Sequence, residues 1–430
     1  MKRHWYLEGL KARGISLGLE RIQSALKAAG NPQDAYRGVL VAGTNGKGST
    51  SFMLYSLIKA SGFRTALYTS PHIREINERY IINGVPISDE DLNYYIENLK
   101  ELSEMYQLTL FEFETLIAFK YFYDYRVDYA VVEVGMGGRL DATNCFEPDI
   151  KVITTISKDH TELLGETEEE ILIEKAGIIK SGNTVISGIH QSNLIRMLGE
   201  MCNKMGATLR LFTVDFSAYD IIQYSEYQRF TYQYQDIKLN IDLPLLGRHQ
   251  VLNCSIAITA FLELCKMYGL SIKTELIRDT IRDIRFQGRF EVVSKDPPVI
   301  IDGAHNIDGI THLKETLSAY NKDKRQVLCI FSSLKNKNPE KKLEILKEVC
   351  DYFIFVENPH PLSLKNEEFN ILARQLNLSY LGAMDVRTAL KKVYTEFRDY
   401  LTIITGSLYT LERVYEELER LKVYGREQQR

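Results

Sequence analysis

The sequence predicts an α/β protein of two domains, each built on a mostly parallel sheet, with a small antiparallel sheet attached to the first. Three observations carry that reading. Short apolar strands alternate with helical patterns early in the chain, as they do in parallel sheets. At Val39-Leu-Val-Ala-Gly-Thr-Asn-Gly-Lys-Gly-Ser-Thr50 an apolar strand runs into glycines and a lysine and then into a helix, the layout of a nucleotide-phosphate loop. A second strand–helix series begins beyond Arg285–Arg289. At 430 residues the chain exceeds one ordinary core, so two domains, 1–286 and 287–430, are expected.

In the first domain the candidate strands are Gly38–Val41, Thr65–Tyr68, Tyr129–Val134, Ile150–Thr155 and Thr184–Ser187. Each is apolar almost throughout, which suits strands covered on both faces. Helical patterns lie between them at Ser49–Ser61, Asp89–Tyr106 and Glu112–Tyr125. Residues Leu209–Leu245 break the rhythm. Within them Phe230-Thr-Tyr-Gln-Tyr-Gln-Asp-Ile-Lys-Leu-Asn-Ile alternates with a period of two, the mark of a half-solvated antiparallel sheet. Helices at Val251–Tyr268 and Lys273–Ile284 follow, and the helical period stops at Arg285–Arg289, where glycine appears. Beyond it come strands at Val299–Asp302, Val327–Ser332, Tyr352–Val356 and Leu401–Thr405, with helices such as Glu340–Val349 and Val386–Phe397. The terminal Glu427-Gln-Gln-Arg430 is expected to fray.

Composition narrows the function. With 45% hydrophobic and 26% charged residues the chain is a globular protein, not a disordered one. A formal net charge of −4 argues against non-specific nucleic-acid binding, which needs a basic surface. The six cysteines form no C-x-x-C pair and no zinc-like spacing, so a reduced, cytoplasmic setting is expected. Glu8 and Lys11 interrupt any apolar run after Lys2 and Arg3, so no signal peptide is expected. No stretch reads as the roughly 20 apolar residues of a membrane span.

In the loop after the first strand, glycines let the backbone approach a ligand, and the helix N-terminus offers unpaired N–H groups to an anion. Lys47 would reach the outer phosphates of a nucleotide, and Ser49 or Thr50 could ligate Mg²⁺. Thr44, Asn45, Gly46 and Gly48 complete the loop. The spacing departs from the usual G-x-x-x-x-G-K-[ST] motif, because Gly48 follows the lysine and Val41 occupies the first glycine position. Glu133 ends a buried strand on the face where α/β sheets bind ligands and could hold a nucleotide-borne Mg²⁺. Gly135-Met-Gly-Gly after it also allows a dinucleotide loop, but the third glycine is misplaced and no apolar helix follows. His160 ends the next strand, as a loop or capping residue or as a neutral imidazole ligand. Lys175 reads either as a solvated helical charge or as part of the site.

The loop variant Gly-Thr-Asn-Gly-Lys-Gly-Ser resembles that of the Mur-type ATP-dependent amide ligases. Further motifs occur in the order seen in folylpolyglutamate synthases. They are Thr69-Ser-Pro-His72 with Asn77-Glu-Arg and Asn83-Gly-Val-Pro-Ile87, Gly137-Gly-Arg-Leu-Asp-Ala-Thr-Asn144, Asp159-His160 and Glu174-Lys-Ala-Gly177. Leu246-Gly-Arg-His-Gln-Val-Leu-Asn253, Gly288-Arg-Phe-Glu291, Asp302-Gly-Ala-His-Asn306 and Thr405-Gly-Ser407 continue the series. The chain therefore resembles the folylpolyglutamate synthases, including the bifunctional dihydrofolate synthases, over nearly its whole length. Two departures are Lys158 before Asp159-His160, where relatives carry an apolar residue, and Phe286-Gln287 where a Trp-Pro pair is common.

The resemblance implies a P-loop-type ATP-binding domain and a C-terminal Rossmann-like glutamate-ligase domain. It implies that Ser70, Glu133 and His160 hold Mg²⁺, with two ions in all, and that Lys175 is carbamylated by CO₂ to help hold the second. It implies nucleotide contacts for Asn253 and Arg289, and for Asp302 and His305 a place at a cleft that closes over the triphosphate and receives glutamate. Read alone, Asp302-Gly-Ala-His-Asn306 would also make a strand-end turn. Ser407 matches a position near the glutamate carboxylates, and would equally serve as a helix N-cap. Phe111 is assigned to the pteridine side of the substrate site. The expected enzyme is a cytoplasmic monomer that joins L-glutamate to the γ-carboxyl of a reduced folate through an acyl phosphate, with dihydropteroate as an alternative acceptor. Another Mur-type amino-acid ligase, or a P-loop switch or motor ATPase, is the competing expectation.

Overall fold

The structure, a computed structural model, describes residues 5–421; the expected fraying of 427–430 lies outside them. The chain divides into two compact units. One comprises the chain through Asp220, Phe230–Asp242 and Gln250–Ile284. The other takes the chain from Arg285 on, together with Ile221–Arg229 and Leu243–His249, so the division is not one cut near residue 286.

Eight strands form the first sheet: β1 (Arg37–Ala42), β2 (Thr65–Tyr68), β3 (Tyr80–Ile82), β4 (Val85–Pro86), β5 (Tyr129–Glu133), β6 (Ile150–Ile153), β7 (Thr184–Ser187) and β8 (Thr208–Leu211). Their order is β4-β3-β2-β5-β1-β6-β7-β8. From β2 to β8 all pairs are parallel. Only the β3–β4 hairpin at one edge runs antiparallel to its neighbours. Strands β1, β2, β5, β6 and β7 are buried at nearly every position, as their continuous apolar runs require. Helices starting with satisfied N-termini cover the sheet: in Leu110–Asp124 the Thr109 and Glu112 side chains form a capping box, and Thr167 and Glu170 do the same for Glu168–Ala176.

A three-stranded antiparallel sheet follows, β9 (Phe216–Gln223), β10 (Gln228–Tyr234) and β11 (Ile237–Leu243), in the order β11-β10-β9. The expected antiparallel region began at Leu209, and here the structure differs: β8 is a parallel edge strand of the first sheet. The sequence alone does not reveal which partner a short strand will find. Arg248–Met267 is, among the described residues, a helix long and apolar enough by composition to cross a membrane, contrary to the expectation that no such stretch exists. Most of it is buried inside the protein as a core helix.

The second unit is built on β12 (Glu291–Lys295), β13 (Pro298–Ile301), β14 (Val327–Phe331), β15 (Tyr352–Phe355), β16 (Tyr380–Ala383) and β17 (Leu401–Thr405). Their order is β12-β13-β17-β14-β15-β16, with β12 antiparallel and the rest parallel. Its core gathers Ile300, Leu313, Cys329, Phe331, Leu343, Phe355, Phe369 and Ile403.

Candidate active site

In the first unit, the Gly43–Thr50 loop, Ser70, Glu133 and His160 follow or end four adjacent strands, β1, β2, β5 and β6, at their carboxyl ends. Register sets Val41 of β1 beside Glu133 of β5 and beside Val152 of β6. The loops that leave these ends therefore lie side by side, as ligand loops do in α/β sheets.

The loop after β1 is tied to the loop after β6. Thr44 N–H donates to the Thr155 carbonyl at 2.8 Å, and the Thr44 hydroxyl to Ser157 O at 3.0 Å. The Thr154 hydroxyl donates to Asn45 O at 2.6 Å. Gly46 has φ +84, and a Cβ there would sit 2.2 Å from Asn253 Oδ1, so glycine is needed for both conformation and space. That contact puts Asn253 against the loop. Lys47, first residue of helix Lys47–Ala60, folds back so that Nζ donates to Gly43 O at 3.0 Å and Thr44 O at 3.2 Å. Ser49 and Thr50 are buried in the helix's first turns, and Thr50 Oγ1 makes no hydrogen bond.

Lys175 lies on Glu168–Ala176 and is only 4% exposed, so the solvated-charge alternative fails. Its Nζ donates to the same Gly43 carbonyl at 3.0 Å. Burial and then the charge of Lys47 push its amine down to about 7. Glu133 is 5% exposed, and its Oε2 accepts the Ser70 N–H at 3.2 Å. His160 begins the short helix Thr161–Leu164 with φ +51, half-exposed, 3.9 Å from Glu162. Among the described residues no three His, Cys, Asp or Glu side chains gather into a metal cluster. The donor set of Glu133, Ser70, the Ser49–Thr50 hydroxyls and His160 still fits Mg²⁺, a hard ion that takes one or two protein carboxylates alongside substrate phosphates. The unpartnered Thr50 hydroxyl supports that fit.

Phe111 is half-buried, near-parallel to Tyr68 with 6.1 Å between ring centres, and packed so closely on Gly135 that a Cβ there would meet its ring at 2.4 Å. Residues given no role from the sequence brace this region. Asp141, buried, accepts the N–H of Met136 at 2.8 Å and of Thr143 at 3.0 Å, fixing the Gly135–Gly138 turn. Arg79 pairs with buried Glu114 and donates from Nε to His72 Nδ1 at 2.9 Å. Burial, then Arg79 and Lys11, hold that imidazole down at about 3, so it stays neutral.

In the second unit Asp302 follows β13. Its two oxygens accept the N–H groups of Phe290 (2.9 Å) and Ala304 (2.8 Å), which ties the Gly288–Phe290 turn to its own loop. Burial raises its carboxyl, and Arg289 opposes the shift. Arg289 donates to Gly288 O at 3.1 Å and lies 5.6 Å over the Phe286 ring, so Phe286 covers a face of the guanidinium. His305 Nδ1 sits 3.1 Å from Gly303 O, a carbonyl that accepts from the ring when Nδ1 carries the proton. Ser407 is buried after β17 and precedes the turn Leu408–Thr410, but its side chain makes no capping bond.

Comparison with known proteins identifies the family. Residues 41–261 match the Mur ligase middle domain, and residues 288–408 match the Mur ligase, glutamate ligase domain. The dihydrofolate synthase/folylpolyglutamate synthase of Bacillus subtilis (strain 168) is 31% identical over 97% of this chain and 98% of its own. The folylpolyglutamate synthase of Lacticaseibacillus casei is 33% identical over 93% and 94%. Escherichia coli FolC in complex with DHPP and ADP superposes with a TM-score of 0.86 at 30% identity, covering 97% of each chain. The chain belongs to the dihydrofolate synthase/folylpolyglutamate synthase family of Mur ligases, and is an ATP-dependent ligase of that kind.

Proposed function

We propose that the protein adds L-glutamate to the γ-carboxyl of a reduced folate, with dihydropteroate accepted at the same site as a second carboxylate. The observation that carries this is the convergence of Lys47, Lys175, Glu133 and Ser70 on adjacent strand ends, in a chain related to folylpolyglutamate synthases over almost its full length. The folate carboxylate attacks the γ-phosphate of ATP, its C–O–P bond forming as the bond to ADP breaks. The glutamate amine then attacks the acyl carbon, and phosphate leaves as the amide forms.

In this scheme Lys47 and the Gly43–Gly46 backbone hold the triphosphate, and Asn253 and Arg289 hold the rest of the nucleotide. Phosphoryl transfer rests on such positioning and charge stabilisation. Two Mg²⁺ ions would be held by Ser49, Ser70, Glu133, His160 and a carbamate on Lys175; when bound they spread the charge that builds on the phosphates. Phe111 offers an apolar ring to the pteridine. Asp302 supports Arg289, while His305 and Ser407 take the incoming glutamate. Six free cysteines, five of them buried, support a reducing cytoplasmic setting, and a monomer is the assembly proposed.

The test is incubation with ATP, glutamate and either tetrahydrofolate or dihydropteroate, with products read by mass. A glutamyl adduct is expected. ATP turnover indifferent to glutamate would instead favour a switch or motor ATPase, a reading that leaves the glutamate ligase domain without a task. For the metal, Glu133→Gln and His160→Ala should each raise the Mg²⁺ concentration needed for half-maximal activity. Titrations that superimpose on wild type would remove both from the ligand set.

Within the second unit, Asp302 and His305 are proposed to serve the glutamate step. Asp302→Ala and His305→Ala should keep ATP affinity within about tenfold, roughly 1.4 kcal/mol, yet lose most glutamate incorporation. Calorimetric ATP titration beside the incorporation assay checks this, and normal incorporation in both variants would remove them from the site.

A further inference from the structure

Lys342 occupies a position where its helix should carry an apolar residue. Helix Pro339–Lys347 buries Lys342, Leu343 and Leu346, while Lys341 and Lys347 are exposed. Lys342 is 0% exposed. A buried ammonium is strongly disfavoured unless its donors are met, and a Leu or Met would fill the same space without that cost. The charge therefore needs an explanation beyond packing.

Its bonds supply one. Nζ donates to the His305 carbonyl at 3.1 Å and to the Gly406 carbonyl at 3.2 Å, with the Phe331 ring centre 5.6 Å away. These carbonyls belong to different loops: one leaves β13 and carries Asp302 and His305, the other leaves β17 and carries Ser407. The loops also meet directly, since Gly406 N–H donates to Ala304 O at 3.0 Å. Gly406 itself is wedged against β14, where a Cβ would lie 2.1 Å from Ser332 O. One cation thus holds the two backbone segments next to His305 and Ser407.

We propose that Lys342 is a positioning residue: its ammonium clamps the His305 and Gly406 carbonyls together, so that His305 and Ser407 are presented to the incoming glutamate as one preformed surface. The glutamate part rests on the function proposed above; the clamp itself does not. Removing the ammonium frees both loops at once. The variant loses affinity for the amino acid while the nucleotide loop after β1 is untouched.

Two readouts separate clamp from packing, applied to the full-length protein. In Lys342→Met, amide hydrogen exchange in segments 303–309 and 406–410 should quicken about tenfold, with the strands of the second sheet unchanged. The glutamate KM should rise about tenfold, with the ATP KM within about twofold. Lys342→Arg, which keeps a cation, should restore part of both. If the Met variant does not fold, Lys342→Gln is read in the same way. Wild-type exchange in the two segments, or ATP and glutamate KM rising together, overturns the proposal. Fast exchange of these segments in the unmodified protein overturns it with no substitution at all. Failure of the wild type to use glutamate would sink the functional reading, while exchange would still decide the clamp.

Discussion

Lys47→Ala should fold normally and lose about 10²–10³ in turnover, the usual cost of removing one preorganised charge from a developing anion. The fold should survive because the lysine's own bonds, to Gly43 O and Thr44 O, are not what holds the loop. The Thr44, Thr154 and Ser157 bonds remain, as does the close seat of Gly46 on Asn253. Nucleotide affinity should fall with turnover, because the same ammonium that stabilises the transferring phosphate also attracts the bound triphosphate. That sets it apart from His305→Ala, where turnover should fall alone. A thermal melt, ATP calorimetry and the glutamate-incorporation assay together read all three quantities. A folded variant with wild-type kcat would mean that the lysine merely closes its own loop.

Much of this was legible before the structure, for a physical reason. Strands such as β1, β5 and β6 are covered on both faces, so their sequences are apolar without interruption. Residues needed by a ligand sit at their carboxyl ends, which is why Lys47 and Glu133 can be found by reading where an apolar run stops. The β3–β4 hairpin escaped notice although its turn carries the pair Asn83-Gly84, both at positive φ. Strands of three and two residues leave too little alternation to detect. The direction of β8 depends on β7 as its partner, which no local pattern encodes.

The parts of the site that stayed hidden share a different cause. Lys342 sits in Pro339-Glu-Lys-Lys-Leu343, which reads as a solvated helix start, and only its distant carbonyl partners reveal its burial. Glu114 lies on a helix and looks like a surface charge until Arg79 is seen against it. Asp141 was visible as part of a motif, yet the two backbone N–H groups it accepts were not. In each case the informative quantity is a contact between residues far apart in sequence.

The same holds for Lys175, whose modification is the other large effect expected. Lys47 and Lys175 each donate to the Gly43 carbonyl at 3.0 Å. Burial disfavours the charge on Lys175 first, and the Lys47 cation on the same oxygen repels it further, so Lys175 is the weaker base. Converting Lys175 to a carbamate replaces that repulsion with an attraction to Lys47. The reaction joins CO₂ to the neutral amine and releases a proton, so it is favoured as pH rises through about 7, where the buried amine loses its charge. Activity should therefore fall when CO₂ and bicarbonate are removed, and the CO₂ concentration needed to restore half of it should be higher below that pH than above it. Lys175→Ala should be inactive and partly restored by a short added carboxylate, which can occupy the space of the missing group. Nuclear magnetic resonance with ¹³C-labelled bicarbonate should give a carbamate signal in the wild type that is absent from Lys175→Ala. Full activity in CO₂-free buffer, with no such signal, would leave Lys175 as an unmodified brace for the Gly43 loop.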